Sequence, residues 1–477
     1  MKTLQLYDTL TRALQPVRPA DGRTLRFYCC GPTVYGPAHI GNFRSFLVQD
    51  LFRRVVEQVG GLTTRHVRNV TDVDDKTIRD SRKAGQPLGE FTARWLERFH
   101  ADCRALGMLE PHVEPGAVAH VPEQIVLIER LIAKGHAYPA GDGSVYFNVA
   151  SFPAYGRLSR LDARELKQGA SGNDSDEYDR ESAADFVLWK ARKPEDGENF
   201  WQSPWGEGRP GWHLECSAMG LKYLGDSFDL HSGGVDLCFP HHENEIAQSD
   251  AATGKPFAHH WFHIEHLLVD GTKMSKSLGN LYTLTELQDM GFTPAELRYA
   301  LLAGHYRQKL NFSLDRRHYA RLNLRRIAPA RTKLAEIASP AASPAASPAA
   351  ENAAGPAAGT PSPLFEPAID ALLNDLNAPA ALGQLFTALR SVESGELPNP
   401  ADALAGLDRL VRIFGWELPP ADTAPDIPTE IAALAAERWE AKQAKDWARS
   451  DALRDEVAAA GFVIKDSKDA YTISPIG

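Results

Sequence analysis

Residues Thr24–Cys30 (Thr-Leu-Arg-Phe-Tyr-Cys-Cys) form an apolar run that stops at Gly31-Pro32. A short run closed by a Gly/Pro turn reads as a buried strand. Beyond it, Phe43, Leu47, Leu51, Val55 and Val59 recur at the spacing of one helix face, with Phe46 beside them. Gly60-Gly61 closes that helix, and Thr63–Val70 reads as the next strand. Strand, helix and strand within about 45 residues make a βαβ unit. That unit commits the chain to a parallel α/β sheet, because parallel neighbours need a long crossover between them. A second helix is expected to start near Asp74, after Thr71-Asp72.

The rest of the chain divides around this unit. A length of 477 residues suggests about three domains. The sheet-forming unit occupies residues 1–110. Residues 111–205 are less regular, with breaks such as Gly141-Asp142-Gly143 and a polar stretch over Gly172–Glu181, and read as an inserted domain. The sheet is expected to resume with the Gly211–Met219 region and to run to Asn280, within a second half spanning 206–292. From Thr293 the composition turns helical, giving a helical region over 293–336. Residues 337–363 contain three copies of Ser-Pro-Ala-Ala within Ser339–Ala350 and read as a tether. A helical block follows (364–427), then a small C-terminal α+β unit (428–477) with an amphipathic helix over Arg438–Ala460 and a short strand over Phe462–Lys465.

Composition narrows the function classes. Hydrophobic residues make up 43% and charged residues 24%, an ordinary soluble balance. No run of about 18 apolar residues occurs, so no membrane-spanning helix is expected. The start Met1-Lys2-Thr3-Leu4 lacks a signal pattern, which makes the cytoplasm the expected compartment. A net charge of −10 does not advertise nucleic-acid binding, although phosphate contacts need only a local basic surface. The five cysteines (Cys29, Cys30, Cys103, Cys216 and Cys238) are an odd count, which argues against a disulfide framework. Catalytic or metal-binding roles are then open, with Cys103 read as a small buried hydrophobe.

Five clusters carry possible chemistry. His39-Ile40-Gly41-Asn42 falls between the first strand and the first helix, where free backbone N–H groups and a positive dipole end attract phosphate. Lys273-Met274-Ser275-Lys276-Ser277 is a basic loop whose lysines can neutralise a departing pyrophosphate. His241 and Glu245, in Pro240-His241-His242-Glu243-Asn244-Glu245, share a helix face at i, i+4 and offer imidazole and carboxylate to zinc. With Cys30 and Cys216 they would complete a tetrahedral set, and spacing leaves His241 and His242 as equal candidates. His231–Asp236 is a Gly-rich segment, read as a turn, that lets a ligand approach the backbone, with Asp236 able to accept from ribose hydroxyls. Trp447, among Lys442, Lys445, Arg449 and Asp451, can stack a splayed base while the cations meet phosphate. Each cluster alone has an ordinary structural reading, and their order along one α/β chain is what links them.

Together these residues closely resemble the cysteinyl-tRNA synthetases, a class I aminoacyl-tRNA synthetase family. The most specific matches are Gly211-Trp212-His213-Leu214-Glu215-Cys216-Ser217-Ala218-Met219 and Phe239-Pro240-His241-His242-Glu243-Asn244-Glu245. Further matching stretches are Phe27–Val59, Arg68–Lys76, Lys273–Asn280, His305–Ser313 and Ala444–Asp455. The resemblance implies a Rossmann-like parallel-sheet catalytic domain with an insertion, a helical bundle and a small anticodon-binding unit. It implies zinc ligands at Cys30, Cys216, His241 and Glu245, and so selects His241 over His242. It places the amino-acid pocket on Gly31, Thr33, Thr71 and Trp212. It places the catalytic signature groups on His39, Asn42, Lys273 and Lys276, and the ATP site on Gly41, His231, Gly234, Asp236 and Lys276. The anticodon readers would be Lys442, Trp447 and Asp451.

The implied reaction has two steps. The cysteine carboxylate attacks the α-phosphate of ATP, which travels with Mg²⁺, and the terminal ribose of tRNA(Cys) then takes the cysteinyl group from the adenylate. Zinc would separate cysteine from serine, near-isosteres that an apolar pocket tells apart by only about 10–200-fold. A monomer is implied. Three positions depart from the family pattern. Asn42 stands where the second signature histidine is usual, so it offers an amide but no cation. Lys442 replaces the more frequent arginine, and the tail lacks Gly-Thr-Thr-Trp. Two other readings are a related ligase that joins cysteine to an amino-sugar and a catalytically silent paralogue. The helix around Trp447 speaks against the first, and Asn42 motivates the second.

Overall fold

The computed structural model describes residues 2–161, 185–275, 278–338, 362–395, 399–419, 427–467 and 470–475. The expected polar stretch at 172–181, Lys276 with Ser277 and nearly all of the Ser-Pro-Ala-Ala tether lie outside the described residues.

The chain opens with a hairpin, β1 (Gln5–Asp8) and β2 (Ala13–Pro16), and enters the central unit through β3 (Thr24–Cys29), α1 (Ile40–Gln58) and β4 (Thr63–Arg68). This is the expected βαβ unit, with each boundary within a few residues of the sequence reading. His39 caps α1: its Nδ1 accepts from the backbone N–H groups of Gly41 and Asn42, and Asn42 Oδ1 accepts from the His39 N–H. Capping leaves fewer orphan donors at a helix start. The apolar stripe of α1, Phe43, Leu47, Leu51 and Val55, is fully buried. Asp74 caps α2 (Asp75–Lys83) at the expected position, and α3 (Leu88–Ala105) follows.

The insert begins with α4 (Val121–Ala133) and builds an antiparallel sheet from β5 (Ala137–Pro139), β6 (Val145–Phe147), β7 (Phe186–Ala191), β8 (Trp201–Ser203) and β9 (Gly206–Pro210), in the order β5-β6-β7-β9-β8. Its last strand extends past the expected boundary at residue 205. The Gly211–Met219 region, expected to resume the sheet, is instead the start of α5 (Trp212–Leu224). Its apolar residues are buried on nearly all sides, and such a segment carries no helical period.

The parallel sheet resumes with β10 (Phe228–Gly234), passes through α6 (His241–Thr253) and ends with β11 (Ala258–Ile264), giving the order β11-β10-β3-β4 with every pair parallel. His231–Gly234, read as a turn, therefore closes a strand, and a single 3₁₀ turn over Val235–Cys238 carries the chain onward. A small sheet joins β12 (Leu267–Val269), β13 (Thr272–Lys273) and, after α7 (Leu284–Asp289) and α8 (Pro294–Leu302), β14 (Leu310–Phe312).

Helices α9 (Arg316–Ala338), α10 (Glu366–Leu373), α11 (Ala378–Ser394) and α12 (Pro400–Phe414) form the bundle. Its apolar residues (Leu324, Leu372, Leu385, Leu407) are continuous with those of α1 and α8 in one core. The C-terminal unit consists of α13 (Thr429–Gln443), α14 (Trp447–Ala459), β15 (Phe462–Asp466) and β16 (Tyr471–Pro475), the two strands pairing antiparallel. The single helix expected over Arg438–Ala460 is thus two helices, broken where Lys445 adopts φ +62°. A left-handed residue cannot continue a right-handed helix.

Candidate active site

The carboxyl ends of the four parallel strands open onto one cleft of about 450 Å³. That edge is where open α/β sheets bind ligands. β3 delivers Cys30, Gly31 and Thr33, the chain beyond β4 delivers Asn69 and Thr71, and β10 delivers Gly233, Gly234 and Asp236. The amino end of α1 contributes His39, Gly41 and Asn42, α5 contributes Trp212 and Cys216, and α6 contributes His241. Lys273 and Met274 reach the same cleft from the loop after β13. Of the sequence-predicted residues outside the C-terminal unit, only His231 and Glu245 lie behind the lining, and Lys276 lies outside the described residues.

Cys30, Cys216, His241 and Glu245 are buried at the floor of the cleft, with exposures of 8%, 1%, 1% and 0%. Their ligand atoms all lie within 4.8 Å of one another. The Cys30 and Cys216 sulfurs are 3.9 Å apart, and His241 Nε2 is 3.0 Å from Glu245 Oε1. Zinc–sulfur bonds of about 2.3 Å at a tetrahedral angle put two sulfurs about 3.8 Å apart, so the donor geometry fits such an ion. A second grouping, Cys30, His231, His242 and Glu245, meets the same 4.8 Å criterion.

The charges at this floor are mutually arranged. Burial pushes the Glu245 carboxyl up, but His231 and His241 outweigh it and hold it at about 2. Burial pushes His241 down, yet Glu245 and Cys216 raise it to about 10. Cys216 is drawn down to about 6: burial opposes this, and the Cys30 thiol and the His241 ring prevail. A buried thiolate, carboxylate and imidazole side by side suit a divalent cation.

Behind these donors is a ring of imidazoles. His231 Nε2 is 2.8 Å from Glu245 Oε2, and His213 Nδ1 is 3.0 Å from His241 Nδ1. His242 Nε2 lies 3.2 Å from the Cys30 sulfur, and its Nδ1 lies 2.8 Å from His263 Nε2. Helix α6 is polar in sequence yet buried from His241 through Glu245, because nearly every polar atom has a partner.

Above the floor, Trp212 stacks on the His241 ring with centroids 4.2 Å apart. Gly31 N–H donates to Asn69 Oδ1 (2.8 Å), Asn69 Nδ2 to Thr71 Oγ1 (3.3 Å), and Thr71 Oγ1 to Glu215 Oε2 (2.7 Å). Gly31 has no room for a side chain, since a Cβ there would sit 1.7 Å from the Asn69 carbonyl oxygen. At α1, the Nδ1 lone pair of His39 is committed to the cap, so a neutral ring carries its proton on Nε2. The lysine loop is stapled by Asn280, which accepts from Ser275 N–H and donates to Thr272 Oγ1 and the Lys273 carbonyl.

Asn69, Lys76, His213, Glu215 and His263 were not singled out from sequence. Lys76 lines the cleft, with its ammonium 5.9 Å from the Tyr35 ring centroid, and it sits in a matched stretch that gave a signal. His263 lies on β11, and no local motif marks it. In the C-terminal unit, Trp447 is 59% exposed. Lys442 donates to Asp466 at 2.6 Å, and Asp451 pairs with Arg454 at 3.2 Å. Cys103 is buried as expected.

Comparison with known proteins gives concordant results. The family model described as "tRNA synthetases class I (C) catalytic domain" matches residues 16–321, and "Cysteinyl-tRNA ligase anticodon binding domain" matches residues 424–473. A cysteine–tRNA ligase of Opitutus terrae is 52% identical over 483 residues, covering 99% of each chain. One from Chlamydia trachomatis is 42% identical over 490 residues, covering 99% of this chain and all of the relative. Among solved structures, methionyl-tRNA synthetase of Mycobacterium tuberculosis with methionyl-adenylate aligns at TM-score 0.57 and 15% identity, covering 82% of this chain and 90% of that one. The ternary complex of Agrobacterium radiobacter K84 LeuRS with tRNA and LeuAMS aligns at TM-score 0.59 and 13% identity, covering 83% and 84%. At those identities the structural likeness concerns the fold alone.

Proposed function

Because this chain belongs to the cysteinyl-tRNA synthetase family of class I ligases, we propose that its cleft activates L-cysteine with ATP as cysteinyl-adenylate and passes the cysteinyl group to tRNA(Cys), with zinc selecting the thiol. The observation that carries this reading is the single cleft that unites a Cys₂HisGlu floor, a capped helix amino end and the lysine loop.

Cys30, Cys216, His241 and Glu245 would hold the ion. This set is favoured over the one with His231 and His242 because Cys30, Cys216 and His241 face the cleft. When bound, zinc supplies a soft Lewis acid that favours a substrate thiolate over serine's hydroxyl. His231 and His242 then serve as partners of the ligands Glu245 and Cys30, which fixes ligand orientation. Trp212, Thr71 and Thr33 would close around the amino acid, with Asn69 holding Thr71 in register with Gly31. The amino end of α1 and the Nε2–H of His39 would receive phosphate charge as it develops. Asn42 supports that role as the cap partner of His39, a task needing no cation. Lys273 and Lys276 would steady the leaving pyrophosphate, and Gly41, His231, Gly234 and Asp236 would serve the nucleotide, His231 from behind the lining. No protein nucleophile is required, since positioning and charge stabilisation suffice.

Mg²⁺ would accompany ATP, and the C-terminal unit would read the anticodon through Lys442, Trp447 and Asp451. The divisions 1–110, 111–205, 206–292, 293–336, 337–363, 364–427 and 428–477 would be the functional units, with the insert's sheet carried to Pro210. A cytoplasmic monomer fits this role. Among the described residues, no helix is long and apolar enough to cross a membrane.

The test is cysteine-dependent ATP–pyrophosphate exchange with zinc quantified on the same sample, followed by charging of tRNA(Cys). Exchange at the cysteine-free background level would refute activation, and zinc-free protein with full activity would refute the metal assignment.

A further inference from the structure

Arg44 lies on α1, five residues beyond the His39 cap, and is only 1% exposed. It does not line the cleft. Its hydrogen bonds run to backbone carbonyls. Nε donates to Glu265 at 3.2 Å, Nη2 to His305 at 3.1 Å and to Gln308 at 2.8 Å, and Nη1 makes a longer contact of 3.5 Å with Leu301. Burial pushes the guanidinium down to about 10, with Glu265 opposing the shift and Arg316 adding to it, so it stays charged at neutral pH. A buried charge is costly unless it is hydrogen-bonded, and an apolar side chain would fill the space without that cost. What arginine alone supplies is a planar fork of five donors that reaches several segments at once.

The segments it reaches are those that enter the small sheet. Glu265 lines the cleft and stands two residues before β12, and Gln308 stands two residues before β14. Leu301 is in the last turn of α8, where a cation suits the helix dipole. β12 pairs with β14 on one side and with β13 on the other, and β13 ends at Lys273. The start of α1 meets the same lysine loop directly. A Cβ at Gly41 would clash with Met274 Cε, and Ile40 N–H donates to the Tyr282 carbonyl at 2.9 Å. The two groups assigned above to phosphate charge, the amino end of α1 and the lysine loop, are therefore tied through Arg44 as well as by contact. Residues 305–308 are also held from the far side, since Asp375 accepts from the Tyr306 hydroxyl and from Arg307 Nε at 2.7 Å.

We propose that Arg44 is a positioning residue for the activation step, holding the amino end of α1 and the sheet that carries Lys273 at the spacing ATP requires, an inference that rests on the ATP-activating function proposed above. It touches no reactant in this role. Phosphate charge develops between these two groups, and a displacement of about 1 Å between parts that must act together costs on the order of 10²-fold in rate. The four residues of the zinc floor are carried by the end of β3, by α5 and by α6, and Arg44 bonds to none of these, so cysteine binding is independent of it.

The experiment uses the full chain with Arg44→Lys, which keeps the charge but leaves one ammonium that cannot span the three segments. Pyrophosphate exchange is measured per active site, counted from the burst of adenylate formation, so that loss of folded protein does not enter. The rate per site is expected to fall about 10–100-fold and the pyrophosphate KM to rise, while zinc content and the cysteine KM stay at their wild-type values. Asp375→Asn loosens the same turn from the bundle side and leaves α1 intact, and it should move the same two quantities in the same direction by a smaller factor. An unchanged rate per site in Arg44→Lys would overturn the proposal, as would a cysteine KM that rises together with the pyrophosphate KM. Should Arg44→Lys not accumulate as folded protein, Asp375→Asn decides alone, and an unchanged rate there overturns the proposal. Wild type without exchange overturns activation and this inference together, whereas active wild type with an unaffected Arg44→Lys protein overturns this inference alone.

Discussion

Asp50 lies midway along the helix that presents the His39 cap, and its carboxylate holds three parts of the molecule together. It accepts from Arg54 Nε at 2.8 Å and from Leu109 N–H at 2.8 Å, and it pairs with Arg298 of α8, itself buried. Arg298 in turn donates to the Phe414 carbonyl at 2.5 Å and the Leu106 carbonyl at 2.9 Å. Burial pushes the Asp50 carboxyl up, but Arg298 and Arg54 overcome it and hold it at about 2, below the ordinary 3.8. A depression of this size corresponds to about 2 kcal/mol of stability at neutral pH. Asp50→Asn removes that contribution and also leaves the Arg298 guanidinium buried without a counter-charge, raising the expected loss to about 3–5 kcal/mol. Because the folded-state value lies below the unfolded one, the wild-type contribution is complete above about pH 4 and is lost as pH falls toward 2. Thermal and guanidinium unfolding of both proteins between pH 7 and pH 3 measures this. The variant should melt about 3–5 °C lower at pH 7, with the gap narrowing at the acid end. A difference below about 1 kcal/mol, or a gap that stays constant into acid, would refute the account of this ion pair.

Other outcomes can be checked separately. Cys216→Ser should lose zinc on dialysis against a chelator and raise the relative use of serine; full retention of zinc would count against the Cys₂HisGlu set. Gly31→Ala would place a Cβ 1.7 Å from the Asn69 carbonyl oxygen, so the cysteine KM should rise sharply while the fold of the distant bundle survives, as read by pyrophosphate exchange and circular dichroism. Trp447→Ala, at a side chain 59% exposed, should leave the melting temperature unchanged and weaken tRNA binding by about 1–3 kcal/mol if the indole stacks on a base; an unchanged affinity would remove Trp447 from the RNA surface.

How much of this was readable in advance depends on whether the signal was local. The first βαβ unit and its cap were legible because an apolar run, a Gly/Pro turn and a helical stripe lie in consecutive residues. The pairing of His241 with Glu245 was legible for the same reason, as it needs only one helix turn. The choice between His241 and His242 was not, because it depends on Cys30, Cys216 and His213 arriving from other segments. His231–Gly234 suggested a turn because its glycines are turn formers, yet they sit at the end of a central strand: a Cβ at Gly233 would lie 2.8 Å from the His242 ring. The two C-terminal helices merged in the reading because Lys445 gives no warning that it will adopt a left-handed conformation. The bracket from Gly31 through Asn69 and Thr71 to Glu215 spans three elements, and only folding assembles it.

The small sheet of β12, β13 and β14 has one further implication. Leu268 pairs with Lys273 on one side and with Asn311 on the other, so the stem of the lysine loop and the peptide that leads into α9 share one strand. Through these backbone hydrogen bonds a displacement of the long helix would reach the loop without passing through the parallel sheet. Docking of a large ligand on the helical side would thus be registered at Lys273 as a change in position.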